Sequence, residues 1–452
     1  MREISLQEVL DARECRVWKQ QELLRDFHRP VLSFTMNIPG PVKDSPLIRR
    51  GFHEGLRLLD TALKDAGFPV LSREELREAT GCELLCAVEA EAAALKELCL
   101  QIEERSPLGR LFDLDVIGPG GQKLARKEER CCLVCGAKGR GCASRRLHSL
   151  AELDRAVKAI LQKGLLDADA EQVDQLATKA LLDEVDTTPK PGLVDRNNNG
   201  AHTDMTRESF LRSAEALKGY WKSCFLCGAE SAGLAPEAAF RQLRQLGLRA
   251  EADMFRATGG VNTHKGAIFT LGLLCGAMGR LWQPDAPCRD PKAIAAAAAE
   301  LCSQTVKADF AALDQGREPR SAGERLYLSC GVRGIRGELA DGLPSLLQTA
   351  LPRLEEGLSK GFSRNDAGAA ALLHLIALGQ DSNMIKRGGK ELAAQTAKGL
   401  RDVLRQEPFP SHAYVDALDR SFIQQNLSPG GCADLLAAAY FLHDWGKKDF
   451  ES

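Results

Sequence analysis

The segment VLSFTMNI, residues 31–38, alternates apolar and polar side chains, a pattern typical of a β-strand with one buried face. Downstream, leucines at helical spacing predict a helix over 47–66 that ends at Gly67. Further strands are predicted over 83–88 and 111–117, with a helix between them. The first part of the chain is therefore expected to fold as a compact α/β unit.

Beyond residue 141 the apolar period lengthens from two to about 3.6 residues, and Ala, Leu, Gln, Glu and Lys dominate. Buried or amphipathic helices are predicted over four segments, 173–185, 291–314, 366–379 and 433–445. We expect a helical connector within 150–174. The predicted organisation is thus an N-terminal α/β (α+β) domain over 1–165 and a larger all-α domain over 166–452.

The composition is that of an ordinary globular protein of 452 residues, with 44% hydrophobic and 27% charged side chains. This length predicts two or three domains, and the apolar content excludes disorder as the main state. The 60 basic and 62 acidic residues leave a formal charge of -2. Because no net positive field attracts phosphates, neither a nucleic acid nor an anionic membrane is expected as a partner.

The first residues, 1–24, are charged throughout and lack the apolar core of a signal peptide, and the longest apolar stretch, 268–278, is too short to span a bilayer. A cytoplasmic location is therefore expected. In that compartment the 15 cysteines should be reduced thiols or metal ligands instead of disulfides.

The motif GRLFDLDV, residues 109–116, places Asp113 and Asp115 two apart on a predicted strand, so both carboxylates leave the same face. Two hard oxygen ligands on a rigid strand can hold Mg²⁺, which recruits substrate phosphates to complete its coordination. Arg110 favours the phosphate interpretation, since a guanidinium pairs with phosphate oxygens through two hydrogen bonds. An exposed strand face without a metal explains the spacing equally well.

A cysteine-rich segment follows, in which Cys132, Cys135, Cys142 and His148 form a C-x2-C-x6-C-x5-H arrangement. A tetrahedral Zn²⁺ could close this set, but reduced thiols could also serve packing alone, and the two interpretations weigh the same. The nearby arginines could face phosphates or an acidic partner, or could merely be solvated; they are Arg140, Arg145 and Arg146.

Together with NIPGPVK (37–43), these motifs resemble the holo-acyl-carrier-protein synthase of citrate lyase, the apo-citrate lyase phosphoribosyl-dephospho-CoA transferase, over most of 1–165. The resemblance implies a nucleotidyltransferase-type domain. A serine of the citrate lyase acyl carrier protein would attack the α-phosphate of triphosphoribosyl-dephospho-CoA and expel pyrophosphate. Asp113 and Asp115 would hold Mg²⁺, and Lys43 and Arg110 would bind substrate.

In the second half, the segment DEVDTTPKPGLVDRNNNGAHTDM, residues 183–205, carries an unusual density of charge beside prolines and glycines. Prolines stiffen the turn and glycines permit close backbone approach, so the charged groups are held on a fixed support. Each charged residue alone could be a solvated loop residue, but jointly they predict an active site: Glu184, Lys190, Asp195, His202 and Asp204.

Four further segments combine glycine with acidic, basic or amide side chains. TGGVNTHKGAIFTLG (258–272) enters an apolar helix, where backbone N–H groups attract anions, although its order is not a Walker A motif. The others are GIRGEL (334–339), DSNMIKRGG (381–389) and SPGGCADLL (428–436). In the last, Ser428 as a helix cap is a complete structural explanation.

These five segments resemble triphosphoribosyl-dephospho-CoA synthase over about 170–445, with Ser382 where that family more usually has Thr. The resemblance implies that ATP and dephospho-CoA yield triphosphoribosyl-dephospho-CoA and adenine. A ribose hydroxyl would attack the sugar carbon that bears adenine, through a cation-like transition state. Such a site needs a base, a hydrogen bond to the departing base, and Mg²⁺ with cations for the triphosphate.

The candidate residues fall into three groups whose individual roles stay open. The phosphate-binding candidates are Lys190, His264, Lys265 and Arg387. The candidates for metal binding and base work are Glu184, Asp195, Asp204, Glu338, Asp381 and Asp434. Further substrate contacts are expected from His202, Asn262, Arg336, Asn383 and Gly430.

The resulting hypothesis is a bifunctional enzyme whose C-terminal half makes the donor that its N-terminal half consumes. One alternative is the equivalent pair for malonate decarboxylase, with a different carrier. Another is a zinc-knuckle RNA-binding protein, against which the near-neutral charge argues. The sequence does not predict an oligomeric state.

Overall fold

The computed structural model describes residues 2–126, 129–138 and 141–447. They divide into two compact units, one within 1–169 and 284–286 and the other within 170–283 and 287–452. Each unit has its own buried core. The helices that the structure describes include none that is both long and apolar enough to cross a membrane.

The first unit contains a four-stranded antiparallel sheet in the order β2-β3-β1-β4. The strands are β1 (Val31–Met36), β2 (Val70–Glu78), β3 (Gly81–Val88) and β4 (Phe112–Ile117). The predicted strands correspond to β1, β3 and β4 and are confirmed. Strand β2 was not predicted, because its sequence VLSREELRE is charged and it lies largely exposed at the sheet edge.

Helices α2 (Pro46–Asp65) and α3 (Ala92–Arg105) pack on the apolar face of this sheet. The predicted helix over 47–66 is confirmed as α2, which ends where Gly67 takes a positive φ of 66°. In the core, the Phe34 ring stacks on Phe52 with centroids 4.7 Å apart.

Helix α1 (Leu6–Phe27) lies over the opposite, polar face of the sheet, and it has no apolar stripe from which it could be predicted. A 3₁₀ turn (Gly109–Leu111) precedes β4, and the short helix α4 (Gly141–Ser144) lies in the cysteine-rich segment. Because α1 covers the polar face of the sheet, polar side chains of β1 and β4 lie beneath it.

The second unit is helical. Helix α5 (Leu150–Asp186) runs through the residues at which the two units divide. The remaining helices are α6 (Arg207–Ala216), α7 (Tyr220–Glu230), α8 (Pro236–Thr258), α9 (Lys265–Arg280), α10 (Pro291–Asp314), α11 (Ala322–Cys330), α12 (Gly334–Ala340), a π-helical turn (Leu346–Ala350), α13 (Leu351–Ser359), α14 (Arg364–Ile376), α15 (Ser382–Gln406), α16 (His412–Gln424) and α17 (Gly430–Gly446). The four predicted helical segments lie in α5, α10, α14 and α17 and are confirmed, allowing for one to three residues at the ends.

Helices α9 and α17 form the centre of this unit and are buried on nearly all sides. Glycine makes the packing possible: a Cβ at Gly228 of α7 would lie 2.0 Å from the carbonyl oxygen of Gly276 on α9. A Cβ at Gly266 would likewise lie 1.9 Å from Asp434 Oδ2. The Asp434 side chain of α17 therefore packs directly against the backbone of the first turn of α9.

Candidate functional sites

A cavity of about 920 Å³ lies in the first unit between α1 and the polar face of the sheet. Asp113 and Asp115 both open into it from β4, while Leu114 between them is buried in the core. Arg13 and Arg16 line it from the α1 side. The two aspartates thus share one face of the strand, as their spacing predicts.

The two carboxylates are close enough to repel each other. Burial raises the pKa of Asp113 above its ordinary value, and the neighbouring Asp115 charge adds to that rise. Lys123 pairs with Asp115, and Arg130 Nη2 lies 3.5 Å from an Asp113 oxygen. A divalent cation bound by both carboxylates would relieve the repulsion, so the donor set fits Mg²⁺.

A third carboxylate, Glu83, lines the same cavity and was not predicted from the sequence. It lies on β3 opposite Thr35 of β1, which in turn faces Asp113 on β4. Arg16 Nε donates a 2.8 Å hydrogen bond to Glu83 Oε2. These residues lie in one row because of the register in which the strands pair. That register is not visible in any sequence motif.

The two predicted substrate-binding cations of this half lie in different places. Lys43 lines the cavity and donates to the Ile38 carbonyl; burial, then the Arg13 charge, lowers its pKa. Arg110 does not line the cavity and donates instead to the Cys131 carbonyl. Its guanidinium is therefore associated with the cysteine-rich segment.

The cysteine-rich segment brings its four predicted ligands together. One ligand atom from each of Cys132, Cys135, Cys142 and His148 lies within 4.8 Å of all the others. The Cys135 and Cys142 sulfurs are 3.5 Å apart, and His148 Nε2 is buried without a hydrogen-bond partner within the described ranges. Of the predicted basic patch, Arg145 and Arg146 are exposed and Arg140 lies outside the described residues.

The second unit contains a cavity of about 900 Å³, here called the main cavity, to which all five glycine-bearing segments contribute. Of the predicted residues it is lined by Glu184, Lys190, His202, Asp204, Asn262, His264, Lys265, Asn383, Arg387, Gly430 and Asp434. These positions are separated by up to 250 residues in the chain (184 to 434). Folding therefore brings most of the predicted constellation to one place.

Glu184 and Lys190 form a buried ion pair at the wall of the main cavity. Lys190 Nζ donates to Glu184 Oε1 at 2.6 Å and to the Glu184 carbonyl at 2.7 Å. Both side chains are almost completely shielded from solvent. Burial raises the pKa of Glu184, and the Lys190 charge opposes that rise. Lys190 thus neutralises the buried Glu184 carboxylate, so its positive charge is only partly available to a phosphate.

Asp434 occupies the first turns of α17 and packs against Gly266 of α9. Within the described chain it forms no ion pair with a cation. Burial raises its pKa well above the ordinary value, the charges of Glu184 and Asp381 raise it further, and the Ala267 backbone N–H opposes the rise. Asp434 is therefore the carboxylate of the main cavity best suited to accept a proton.

His264 precedes α9 and is buried, with 3% of its surface exposed. Its Nδ1 lies 2.6 Å from Ser213 Oγ, and its Nε2 has no hydrogen-bond partner in the described part of the chain. Burial lowers its pKa to about 3, helped by the Lys190 charge. The ring is consequently neutral at physiological pH. Its Nε2 can bond a ligand.

His202 and Arg387 form a polar group at another part of the cavity wall. His202 Nε2 lies 2.8 Å from Ser428 Oγ, and Arg387 donates to the Ala201 carbonyl and to Asn426 Oδ1. The alternative in which Ser428 caps α17 is wrong: Pro429 is the N-cap residue, without a side-chain hydrogen bond. The Ser428 hydroxyl orients His202 instead.

Comparison with known proteins identifies the two halves. Residues 4–164 match the family model described as apo-citrate lyase phosphoribosyl-dephospho-CoA transferase, and residues 170–450 match that of ATP:dephospho-CoA triphosphoribosyl transferase. The chain belongs to both families. It is a bifunctional transferase of citrate lyase prosthetic-group synthesis, which disfavours the malonate decarboxylase and RNA-binding alternatives.

Curated relatives share this fused organisation. "Protein CitXG" of Haemophilus influenzae is 34% identical over 97% of this chain and 96% of its own length. The protein of the same name from Leuconostoc mesenteroides subsp. cremoris is 32% identical over 97% of each chain. A probable 2-(5''-triphosphoribosyl)-3'-dephosphocoenzyme-A synthase of Citrobacter koseri is 43% identical over 63% of this chain and 92% of its own.

Four predicted residues of the triphosphoribosyl transferase half lie outside the main cavity. Asp195 accepts backbone N–H bonds from Lys190, Asn197 and Asn198 and so organises its own loop. Arg336 pairs with Asp309 on α10. Glu338 and Asp381 line a neighbouring cavity.

The glycine pair 259–260 also has a structural role, because Gly259 ends α8 with a positive φ of 67°. Neither glycine lines the main cavity; the part of that segment which does is 262–267, at the start of α9. The anion-attracting feature is thus the helix start and not the glycine turn.

The main cavity also has walls that no sequence motif indicated. Arg320 and Arg325 lie at the start of α11, and Phe210 and Phe255 come from α6 and α8. The side chains of Arg320, Arg325 and Lys386 form no ion pair with any residue that the structure describes. Of these wall residues, Lys386 alone lies in one of the glycine-bearing segments, DSNMIKRGG.

Proposed function

We propose that the main cavity catalyses triphosphoribosyl transfer from ATP to dephospho-CoA and that the cavity beneath α1 catalyses transfer to the carrier protein. The observation that carries the first assignment is the convergence of separate segments on one cavity with unpaired cations and an unpaired carboxylate. Lys386, Arg320 and Arg325 supply charge for a triphosphate, and Asp434 supplies the base. Residues 1–165 and 166–452 are the corresponding domains.

The triphosphoribosyl step breaks the bond between adenine and the ribose of ATP. The acceptor hydroxyl attacks that sugar carbon and its proton passes to Asp434, while adenine leaves with the electron pair of the broken bond and takes up a proton from solvent. The raised pKa of Asp434 makes it a stronger base than an ordinary carboxylate. In the tautomer in which Ser213 Oγ donates to Nδ1, His264 Nε2–H is free to bond the departing adenine.

Aromatic side chains favour one end of the main cavity for the adenine of ATP. The Phe210 ring lies edge-on to the His264 ring with centroids 5.0 Å apart, and Phe255 lines the same cavity. Lys386 and Arg387 are then available to the phosphates, whereas Lys265 Nζ lines the cavity but pairs with Glu251 Oε2 at 2.7 Å. Asp204, an exposed carboxylate of the same cavity, would hold Mg²⁺, which neutralises triphosphate charge when bound.

In the N-terminal cavity, a serine hydroxyl of the citrate lyase acyl carrier protein attacks the α-phosphate of the donor and pyrophosphate leaves. Asp113 and Asp115 would hold Mg²⁺, whose charge stabilises the transferring phosphoryl group. Arg13 lines the cavity without an ion pair among the described residues and is the cation most available to the pyrophosphate, whereas Lys123 pairs with Asp115 and Lys43 donates to the Ile38 carbonyl. The carboxylates on a sheet beneath a cation-bearing helix support a nucleotidyltransferase-type domain.

The cysteine-rich segment fits a structural Zn²⁺ site. Three thiols and one imidazole are the donor set that tetrahedral zinc prefers, and sulfur ligands of one zinc lie about 3.8 Å apart for bonds of about 2.3 Å. The 3.5 Å between the Cys135 and Cys142 sulfurs is close to that spacing. The metal would tie together a segment that has little regular structure.

The test combines both half-reactions in one vessel. The chain is incubated with ATP, Mg²⁺ and dephospho-CoA, and adenine is followed by chromatography; apo-carrier protein is then added and its mass is measured. We expect equimolar adenine and intermediate, then a carrier mass increase equal to phosphoribosyl-dephospho-CoA. Carrier protein of malonate decarboxylase is the specificity control. Release of ADP or AMP in place of adenine would refute the assignment of the main cavity.

A further inference from the structure

A second cavity, of about 530 Å³, adjoins the main cavity in the helical unit. Ile335, Ser382 and Gly431 line both cavities, so the wall between them is one residue thick. Gly431 packs so close to Asp381 that a Cβ at position 431 would lie 2.9 Å from Asp381 Oδ2. The wall at this position therefore consists of backbone without a side chain. A ligand seated in one cavity can therefore have a neighbouring group in the other.

The second cavity combines an apolar surface with fixed acceptors. Leu375, Leu378, Ile385 and Leu435 supply the apolar surface. The Glu338 carboxylate is held in place because its Oε1 accepts from the Ser345 backbone N–H at 2.6 Å and its Oε2 from Ser345 Oγ at 3.1 Å. A flat apolar ligand with a hydrogen-bond donor fits such a lining.

The charges of this cavity make it a poorer site for a phosphate than the main cavity. Glu338, Asp341 and Asp381 line it, against the cations Arg333 and Lys390. Arg333 already pairs with Asp341, which leaves Lys390 as the one basic side chain not paired with a lining acid among the described lining residues. Among the described residues, a diphosphate would therefore find one unpaired cation here against three in the main cavity, Arg320, Arg325 and Lys386, whereas a neutral group needs none.

The chemistry of the acceptor limits which neutral group can lie here. The reacting ribose of dephospho-CoA must lie at the main cavity, next to the sugar carbon of ATP. The ribose carries only two large neighbours, the adenine base and the 5'-diphosphate, and the pantetheine arm lies beyond the diphosphate. Because the unpaired cations for the diphosphate lie mainly in the main cavity, the base is the group that can enter.

We propose that the second cavity binds the adenine of the acceptor dephospho-CoA, with the Glu338 carboxylate accepting from its amino group. This inference rests on the proposed function of the main cavity. It gives Glu338 a role in acceptor recognition even though it lies outside the main cavity. ATP and dephospho-CoA, which both contain adenosine, are then distinguished by two differently lined cavities.

The first test fills the cavity without touching the reacting groups. Leu378→Trp replaces a partly exposed wall residue, and Leu328→Trp, at an exposed position of α11 that lines neither cavity, is the matched control. We expect the KM for dephospho-CoA to rise at least tenfold in Leu378→Trp, with the KM for ATP unchanged and the control like the parent chain. An unchanged KM for dephospho-CoA, or equal rises for both substrates, would overturn the inference.

The second test uses the unaltered chain and so does not depend on how a variant folds. Dephospho-CoA is compared with its deaminated analogue, in which hypoxanthine replaces adenine and the donor amino group is lost. We expect kcat/KM to fall at least tenfold, because a carbonyl oxygen replaces the amino donor and faces the Glu338 carboxylate. Equal use of both acceptors would overturn the inference. By contrast, no adenine release with the natural acceptor would refute the proposed function itself.

Discussion

In the helical unit, the hydrogen bonds and ion pairs of each acidic residue distinguish those suited to catalysis from those with a structural role. Asp381 is buried, but its oxygens accept backbone N–H bonds from Asn383, Met384 and Cys432, each at 2.8 Å. Glu184 is neutralised by Lys190. Asp434 lacks such compensation, and its raised pKa follows from burial first and from two neighbouring acids second. An uncompensated buried acid at a cavity is typical of a functional residue.

We predict that Asp434→Asn lowers the rate of adenine release by about 10²–10⁴-fold, the range usual for loss of a general base. The same change should not lower thermal stability. A raised pKa means that the folded state retains a proton that the unfolded state has lost, so the carboxylate destabilises the fold at pH values above its unfolded pKa. Kinetics and thermal unfolding at neutral pH would be measured side by side.

Asp402→Asn, at an exposed position of α15, is the control and should change neither quantity. In the parent chain, kcat should increase with pH through a midpoint above the ordinary carboxyl range, because the base acts only when deprotonated. A variant that loses activity and stability together would instead indicate a structural role for Asp434.

At the scale of elements, the site depends on how closely α9 approaches α17. Helix starts carry unsatisfied backbone N–H groups and a partial positive charge, which favour anions. Glycine at 266 lets the Asp434 carboxylate reach the start of α9, where the Ala267 N–H hydrogen-bonds it. The crossing of two helices, and not a loop, therefore positions the proposed base.

Gly266→Ala is accordingly predicted to reduce adenine release at least tenfold, since its Cβ would displace Asp434. Gly399→Ala, at a helical glycine of α15, is the matched control, because a Cβ at that position would meet no heavy atom within 4 Å. Alanine there should stabilise the chain by about 0.5–1 kcal/mol and leave activity unaltered. Retained activity in Gly266→Ala would show that the close approach is dispensable.

The cysteine-rich segment yields an element-scale prediction about metal. Purified chain should contain about one Zn²⁺ per molecule by elemental analysis, as expected for a four-ligand site. Cys135→Ser should lose most of that zinc and lower the thermal midpoint, whereas Cys15→Ser, at an exposed cysteine outside the cluster, should retain both. Metal-free parent chain of equal stability would rule out a structural zinc.

For the whole molecule, the two activities should be separable by mutation. Asp113→Asn with Asp115→Asn should abolish carrier modification and leave adenine release intact, because the carboxylates belong to the first unit alone. Asp434→Asn chain should still modify the carrier when given preformed donor. Asp65→Asn, at an exposed position of α2, serves as the control. Equal loss of both activities in either variant would contradict the division of labour.

Much of the fold was predictable because the spacing of apolar residues is a local property of the chain. The alternation at 31–38 and the 3.6-residue period of the second half identified β1 and the principal helices. Helix α1 and strand β2 were missed because neither carries a clear apolar pattern. Candidate site residues were predicted within the five glycine-bearing segments, so Arg320 and Phe210, which lie outside all five, were missed. Arg320 does follow Pro319, a signal that could have found it.

The amino-acid sequence by itself determined the two-part organisation, the main helices and the chemistry on offer, because periodicity and residue type are local properties of the chain. Only the tertiary structure decided which acidic residues line a cavity and which stabilise a loop through backbone hydrogen bonds. It separated Asp434 from Asp195 and Asp381, and placed Glu83 in the row with Asp113. The physical reason is that pKa, exposure and partnership depend on neighbours distant in sequence, which strand register and helix crossing bring together.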